Sequence, residues 1–489
     1  MLYHSTRNSS DPVGSKEAIL KGLCADGGLF LSDDIVGVDF DMQSLMDKSY
    51  EEMALSVFSK LLDDYSEEEL KDCISKAYAG KFETDELTPV TELGKYYLLE
   101  LYHGPTSAFK DMALCMLPQL MSKALSGRRV MILTATSGDT GKAALAGFQD
   151  AENIGITVFY PHQKVSDIQY LQMATQEGGN VNVAAVKGNF DDCQTGVKKI
   201  FAEYTREIDD KYGITLSSAN SINVGRLVPQ VIYYIKAYKQ LVKRGVIKYG
   251  DKIDFVVPTG NFGDILAGYY AKALGLPVRK LIVASNENKV LTDFFETGVY
   301  DKNRDFVKTI SPSMDILVSS NLERMLYYAS GCDADYVAGL MESLSTKGRF
   351  EVTKEVLDKL REIFGYGYAT NEESKEAIRK AYEKDGRLID PHTAVGYKVA
   401  DDLNDGTPTV ILSTASPFKF AEDVYKALFG EIEGAEGDGF RYMDELSART
   451  GEKAPKPLAE LRSKEIRHRA VVDKEKMSDF VFDSLSCLK

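Results

Sequence analysis

The chain has 489 residues, 44% of them hydrophobic and 27% charged, with a formal net charge of −15. That length suits roughly two to four domains with sizeable cores. The acidic balance argues against nucleic acid and anionic membranes as partners.

The six cysteines, Cys24, Cys73, Cys115, Cys193, Cys332 and Cys487, lie at least 42 residues apart. No CxxC pair exists, the five histidines are scattered, and no metal site is expected. Dispersed cysteines suit a reducing compartment. The first residues, Met1-Leu-Tyr-His-Ser-Thr-Arg, lack the apolar core of a signal peptide. No apolar run reaches the ~18 residues of a membrane span. A cytoplasmic protein is expected.

Taken in chain order, residues 49–62 and 66–79 read as helices, with Ser66 and Glu69 as a capping box for the second. Neither has a strand neighbour, so 1–85 is expected to be a small, mainly helical N-terminal domain. From about 95 the pattern becomes α/β. Short β-branched runs at 97–102, 129–135, 156–160, 181–186, 253–257, 280–284 and 409–412 read as strands of parallel sheets covered on both faces. Helical patterns fall at 107–126, 139–150, 166–178, 191–208, 226–244 and 263–274, and Pro118 should kink the first. Strand and helix alternation argues for parallel twisted sheets covered by helices. Helices are also expected at 351–364 and 372–384, and the charged tail carries loop signals in EGAEGDG and GEKAPKP. The expected division is 1–85, an α/β region 86–430 with a smaller subdomain around 110–220, and a C-terminal extension 431–489.

Five segments carry candidate chemistry. His103-Gly-Pro-Thr-Ser-Ala-Phe-Lys110-Asp111 places a lysine with apolar neighbours at a helix start. A desolvated lysine loses its proton more easily and becomes a nucleophilic amine, the group that forms Schiff bases with carbonyl cofactors. The commoner fate of such a lysine is to snorkel to solvent. Thr259-Gly260-Asn261-Phe262-Gly263-Asp264 follows a strand and opens a helix, so its backbone N–H groups and the helix terminus form a potential phosphate cradle. The alternative is an ordinary turn with Asp264 as helix cap. Ser137-Gly138-Asp139-Thr140-Gly141-Lys142 is a second such loop. Its glycine spacing and the Ala143 after the lysine rule out a nucleotide P-loop, leaving a small anion site or a plain capped helix. Asn220-Ser221-Ile-Asn223-Val-Gly-Arg226 offers amides, a hydroxyl and a guanidinium suited to phosphate, or else a polar loop with a solvated arginine. Ser413-Thr414 ends a strand, where α/β proteins bind ligands, and a hydroxyl there can meet a ring nitrogen.

Together these segments resemble the threonine synthase family. HGPT-x-AFKD, T-x-TSGDTG, SANSIN-x-x-R, GNFGD and STA occur in the family's order, with Tyr3-His-Ser-Thr-Arg7, Ala25-Asp-Gly-Gly-Leu-Phe30 and Asp390-Pro-His-Thr-Ala-Val-Gly396 around them. The resemblance spans nearly the whole chain and is to the longer bacterial and fungal branch. It implies the fold of fold type II pyridoxal 5′-phosphate (PLP) enzymes, and conversion of O-phospho-L-homoserine and water to L-threonine and phosphate. It implies that Lys110 holds PLP through a Schiff base and also serves as the base. Gly260, Asn261, Phe262, Gly263 and Asp264 are implied to hold the cofactor's phosphate, Thr414 its ring nitrogen, and Asp139 to lie near its 3′ oxygen. Ser137, Thr140, Asn220, Ser221 and Arg226 become candidates for the substrate's carboxylate and phosphate. A domain movement on binding, and a monomer or weak homo-oligomer, are expected. Ser107, Ser416 and Phe418 depart from the family's usual residues. A threonine or serine dehydratase-like lyase, and a noncatalytic ligand-binding protein on the same scaffold, are the competing readings.

Overall fold

The computed structural model describes residues 1–488. Two sheets organise the chain. The larger has six strands in the spatial order Phe364–Tyr368, Val278–Ser285, Ile253–Pro258, Thr409–Ser413, Tyr96–Glu100 and Val90–Leu93. All neighbours are parallel except the last pair. The smaller is wholly parallel, in the order Ala470–Asp473, Val181–Lys187, Ile154–Pro161, Arg129–Ala135 and Ile214–Ser217. The central strands Ile253–Pro258 and Ile154–Pro161 are buried at every position. Helices cover both faces, which is why these strands read as continuous apolar runs rather than alternating ones.

Several local expectations meet their physical limits. The pattern at 107–126 is two helices, Lys110–Leu114 and Leu117–Ala124, with Pro118 in the first turn of the second. A proline lacks the N–H an uninterrupted helix would need there. The 226–244 pattern is likewise split at Pro229, into Val224–Leu227, a short 3₁₀ turn and Val231–Lys243. Both N-terminal helices form, as Tyr50–Leu61 and Glu67–Tyr78, each with a complete capping box. The N-terminal region also holds an antiparallel sheet of Tyr3–Ser5, Asn8–Val13 and Phe30–Leu31. Asn8–Val13 is largely exposed and polar, so it carries no apolar alternation to betray it. The Tyr3 hydroxyl donates to the Leu61 carbonyl at 2.6 Å, tying this sheet to the helices.

The strand Phe364–Tyr368 alternates aromatic residues with glycine, a composition that depresses strand propensity, yet it forms the outer parallel edge of the large sheet. The tail is ordered: a helix Gly439–Thr450, an added edge strand Ala470–Asp473 on the small sheet, and a helix Met477–Ser484.

The helix Asp139–Phe148 crosses the lysine-bearing helix Lys110–Leu114 at Gly147, where a Cβ would overlap the Leu114 carbonyl oxygen. Glycine at this crossing therefore sets how closely the two site-forming helices approach. Gly147→Ala is expected to cost about 1–3 kcal/mol, the usual cost of overpacking, read as a lower urea midpoint with an unchanged slope. An unshifted midpoint would show that the crossing relaxes freely.

Candidate active site

The carboxyl ends of four strands converge: those ending at Ala135, Ser217, Pro258 and Ser413. The loops that follow them line one pocket with Lys110.

Lys110 is set in place by a turn rather than by a long helix. A Cβ on Gly104 would lie 2.6 Å from the Asp111 side chain. The bare glycine lets the turn wrap on that carboxylate, which accepts from the Thr106 N–H at 2.8 Å and the Thr106 hydroxyl at 2.6 Å. Ser107 takes the left-handed φ of 59° that reverses the chain. The Phe109 N–H donates to the Thr414 carbonyl at 2.8 Å, and the Ser416 N–H donates to the Ser107 carbonyl at 3.1 Å. The lysine turn is thus stitched to the end of the strand Thr409–Ser413. Burial lowers the Lys110 amine to about 8, with Lys419 and Arg226 adding to the effect and Asp139 and Asp264 opposing it. Its Nζ lies 3.9 Å from Asp139 Oδ2 and 4.5 Å from the centre of the Phe109 ring.

Asp139 begins its helix directly after Gly138, whose φ of 139° is open to glycine and few other residues. The Thr136 hydroxyl accepts from the N–H groups of Gly138 and Gly141, both at 2.9 Å, and closes this loop. Asp139 Oδ1 accepts from Gln169 Nε2 at 3.0 Å and pairs with Lys419 Nζ at 2.9 Å. Its Oδ2 accepts from the Ser313 hydroxyl at 2.9 Å. Burial alone would push this carboxyl up; Lys419 and Lys110 outweigh it and hold it far below the usual carboxylate range.

In the 259–264 loop, Phe262 adopts a left-handed φ of 62° and caps the helix Gly263–Ala273, so Asp264 lies inside the helix and is not its cap. Among the described residues no acceptor meets the N–H groups of Gly260, Asn261 or Phe262. The loop's carbonyls are pinned from outside: Gly260 O accepts from the Ser319 hydroxyl at 2.7 Å, and Asn261 O from Asn321 at 3.0 Å. A Cβ on Gly260 would press on the Ser313 carbonyl at 3.0 Å. Burial raises Asp264 to about 6.

On the helix Val224–Leu227, which packs against the helix Gly263–Ala273, Arg226 is 3% exposed. Its Nη1 donates to the Ala219 carbonyl at 3.1 Å, and its Nε has no partner. Burial lowers it to about 10, so it stays charged at neutral pH. The buried Asn220 Oδ1 is likewise unpartnered. Unsatisfied buried polar atoms cost free energy that a bound polar ligand recovers.

Comparison with known proteins gives this geometry a family. Residues 83–415 match the family described as pyridoxal-phosphate dependent enzyme, 2–78 the threonine synthase N terminus, and 393–481 the threonine synthase C-terminal region. The threonine synthase of Pseudomonas aeruginosa is 38% identical over 438 residues, covering 88% of this chain and 91% of that protein. Human threonine synthase-like 1 is 41% identical over 431 residues, covering 84% of this chain. The chain spans only 58% of the length of that relative. The solved PLP-bound threonine synthase of Brucella melitensis superposes with a TM-score of 0.87 at 37% identity, with 99% of each chain covered. Yeast threonine synthase gives 0.87 at 32% identity, again with 99% of each chain covered.

The chain belongs to the threonine synthase family. Its fold is that of the fold type II PLP enzymes, and the site's chemistry fits that cofactor. A desolvated lysine amine suits an aldehyde, and a lysine-free cradle of unpaired N–H groups at a helix start suits a phosphate.

The pocket is lined by Lys110, Ser137, Asp139 and Thr140. Asn220, Ser221, Arg226, Gly260, Asn261, Gly263, Asp264 and Thr414 complete the set. The Phe262 ring points away, stacked on Phe295 at 6.2 Å, so this residue offers the site its backbone only. Four further residues escape the sequence reading. Lys419 follows the Thr414 motif, and Gln169 sits in the next helix of the small subdomain. Ser313 comes from the stretch before the helices of the 300–400 region, on the short 3₁₀ turn Pro312–Met314. His392 lies within Asp390-Pro-His-Thr. Its Nε2 accepts from the Ser313 N–H at 3.1 Å, which fixes the ring proton on Nδ1, facing Asp390 Oδ1 at 2.7 Å. Of the departures, Ser416 uses its hydroxyl to accept from the Phe418 N–H at 3.3 Å and caps the turn that carries Lys419. Nothing in the structure explains why serine stands at 107.

The raised Asp264 carboxyl gives a pH test. A folded-state value near 6 against an ordinary 3.8 means the folded state favours the protonated acid. That favourable contribution is complete below the ordinary value and gone once pH has risen past about 6. Asp264→Asn should therefore match the parent's stability near pH 4. Above pH 6 it should exceed the parent by about 2–3 kcal/mol in cofactor-free protein. Equal unfolding midpoints at both pH values would contradict the assignment.

Proposed function

We propose that this protein converts O-phospho-L-homoserine and water to L-threonine and inorganic phosphate in the cytoplasm, as a monomer or weak homo-oligomer. The observation that carries the reading is one pocket with a buried lysine amine and two separate sets of anion donors. One set is the unpaired N–H groups of 260–262; the other is the side-chain donors of Asn220 and Arg226, which line the same pocket, with the Arg226 Nε unpaired. Two sets suit two phosphates, one belonging to the cofactor and one to the substrate. A dehydratase needs only the first.

Bound PLP supplies an electron sink for carbanion chemistry at an amino acid's Cα. Lys110 would anchor it, the N–H groups of Gly260, Asn261, Phe262, Gly263 and Asp264 would receive its phosphate, and the Thr414 hydroxyl would meet its ring nitrogen. Asp139 would lie toward its 3′ oxygen. A neutral hydroxyl partner would leave that nitrogen largely unprotonated.

The free Lys110 amine would take the Cα proton of the bound amino acid and serve the later transfers at Cβ and Cγ. With a pKa near 8 it can both accept and return protons near neutral pH. Arg226 and Asn220 hold the γ-phosphate, and Ser137, Thr140 and Ser221 orient the carboxylate. Overall, Cβ loses a proton and takes the hydroxyl of water, Cγ gains a proton, and phosphate leaves Cγ. Water must be excluded until that last addition, so closing of the small subdomain over the pocket belongs to the reading. Residues 1–85 and 431–489 are assigned to framing this closing unit.

Assay of threonine and phosphate release against threonine deamination separates this reading from a dehydratase. A far higher kcat/KM for deamination overturns it. Lys110→Ala should lose the visible band of lysine-bound cofactor together with turnover. Arg226→Met should keep that band and lower kcat/KM for phosphohomoserine about 10–150-fold, the worth of 1.5–3 kcal/mol in a charge-assisted hydrogen bond. An unchanged kcat/KM would remove Arg226 from the phosphate site.

A further inference from the structure

Lys419 is a lysine with no solvent exposure on a short turn just beyond Thr414. A buried ammonium is costly and persists only where it is paired. Lys419 has two partners, Asp139 Oδ1 at 2.9 Å and the Thr106 carbonyl at 3.0 Å. Both belong to segments that frame Lys110. The two oxygens of Asp139 are also unequal. Oδ1 is filled by Lys419 and Gln169, while Oδ2 takes the Ser313 hydroxyl and leaves Lys110 at 3.9 Å, outside hydrogen-bond range. The carboxylate nearest the reactive amine is thus already spent on another cation.

We infer that Lys419 is a positioning residue whose ammonium neutralises Asp139 and so keeps Lys110 a free amine, ready to condense with the cofactor's aldehyde. The inference rests on Lys110 being the cofactor's anchor. In that condensation the nitrogen lone pair attacks the aldehyde carbon, a C=N bond forms, and the aldehyde oxygen leaves as water with both amine protons. A protonated amine has no lone pair to give. Without Lys419, Asp139 would pair with Lys110 and hold it in the ammonium form.

The charged groups facing Lys110 come from four elements: Asp139 from its helix start, Lys419 from the 417–420 turn, Arg226 from the helix Val224–Leu227, and Asp264 from the helix Gly263–Ala273. The two carboxyl groups and the two other cations oppose each other, and burial tips the balance toward the neutral amine. Asp139 and Lys419 are the pair locked together by direct contact, so their substitutions should cancel.

The test is trace acetylation of cofactor-free protein with acetic anhydride across about pH 6–10, with acetylation at residue 110 quantified by peptide mass spectrometry. The parent's midpoint is expected near 8. Lys419→Met should raise it by roughly 1–3 pH units, the effect of a freed carboxylate within ~4–6 Å, and slow labelling at pH 8 at least about fivefold. Asp139→Asn should lower the midpoint, and the double variant should return close to the parent. Cofactor incorporation followed by visible absorbance should move in step. An unchanged midpoint in Lys419→Met overturns the inference. If that variant does not fold, the comparison of Asp139→Asn with the double variant decides. A higher midpoint in the double supports a charge effect of Lys419, and identical midpoints overturn it. No readout uses phosphohomoserine, so a failure here is distinct from a failure of the proposed reaction.

Discussion

Two lysine side chains share one buried carboxylate at the centre of the molecule, and the rest of the site is arranged around that imbalance. Asp139 stays ionised because Lys419 touches it directly, with Gln169 and Ser313 filling its remaining hydrogen-bond capacity. Lys110 is close enough to feel this carboxylate and too far to be neutralised by it. The cluster draws on residues more than 250 positions apart in the chain: 110, 139, 169, 313 and 419. It also crosses between the two sheets, since Asp139 follows a strand of the small one and Lys419 follows a strand of the large one. The ion pair that tunes the amine is therefore also a bond between the two halves of the cleft.

That dual role constrains movement. If the small subdomain moves on binding, the Asp139–Lys419 contact must either travel with the moving part or break and reform. A buried pair is expensive to break, because each charge is left uncompensated in a poor solvent for ions. The Thr106 carbonyl, which also accepts from Lys419, sits on the lysine turn stitched to the strand Thr409–Ser413. Movement is thus cheapest as a rotation about this pair, with the far end of the small sheet swinging more than Asp139 does. The tail spans both halves: its helix Gly439–Thr450 packs near the large sheet's helices, and its strand Ala470–Asp473 joins the small sheet. Such a strap limits the amplitude of any rotation.

Much of this was legible in the sequence because strand, glycine loop and helix follow one another at each motif. The parallel strands declared themselves by continuous β-branched runs, and the pocket-lining loops by their glycines. What escaped has physical reasons. The edge strand Phe364–Tyr368 is built of glycine and aromatics, and the exposed strand Asn8–Val13 has no buried face to produce alternation. Ser313 lies on a segment held by side-chain hydrogen bonds rather than by periodic structure. In that network Asn286 donates to Thr309, Ser311 and Asp315, and the Asp315 carboxylate accepts from the Thr309 N–H at 3.0 Å. Lys419 was visible as a residue but not as a partner of Asp139, since nothing local in sequence couples positions 280 apart.

The two proposed anion sites differ in kind, and the difference follows from what each would hold. The 260–262 cradle is made of backbone N–H groups fixed by the helix Gly263–Ala273 and by Ser319 and Asn321 from behind. Fixed donors of this sort bind without losing side-chain entropy, which suits a phosphate that never leaves. The Arg226 side is a single guanidinium with one backbone partner and one free donor edge. On the proposed function, a phosphate that must be expelled and then released would be better served by such a site, which would strengthen as negative charge accumulates on the departing group. Cationic donors in the permanent cradle would raise retention at no gain to chemistry. They would also lower the Lys110 amine further and weaken it as a base. On the proposed function, the absence of lysine and arginine from the 259–264 loop and the burial of Arg226 beside it would answer the same requirement.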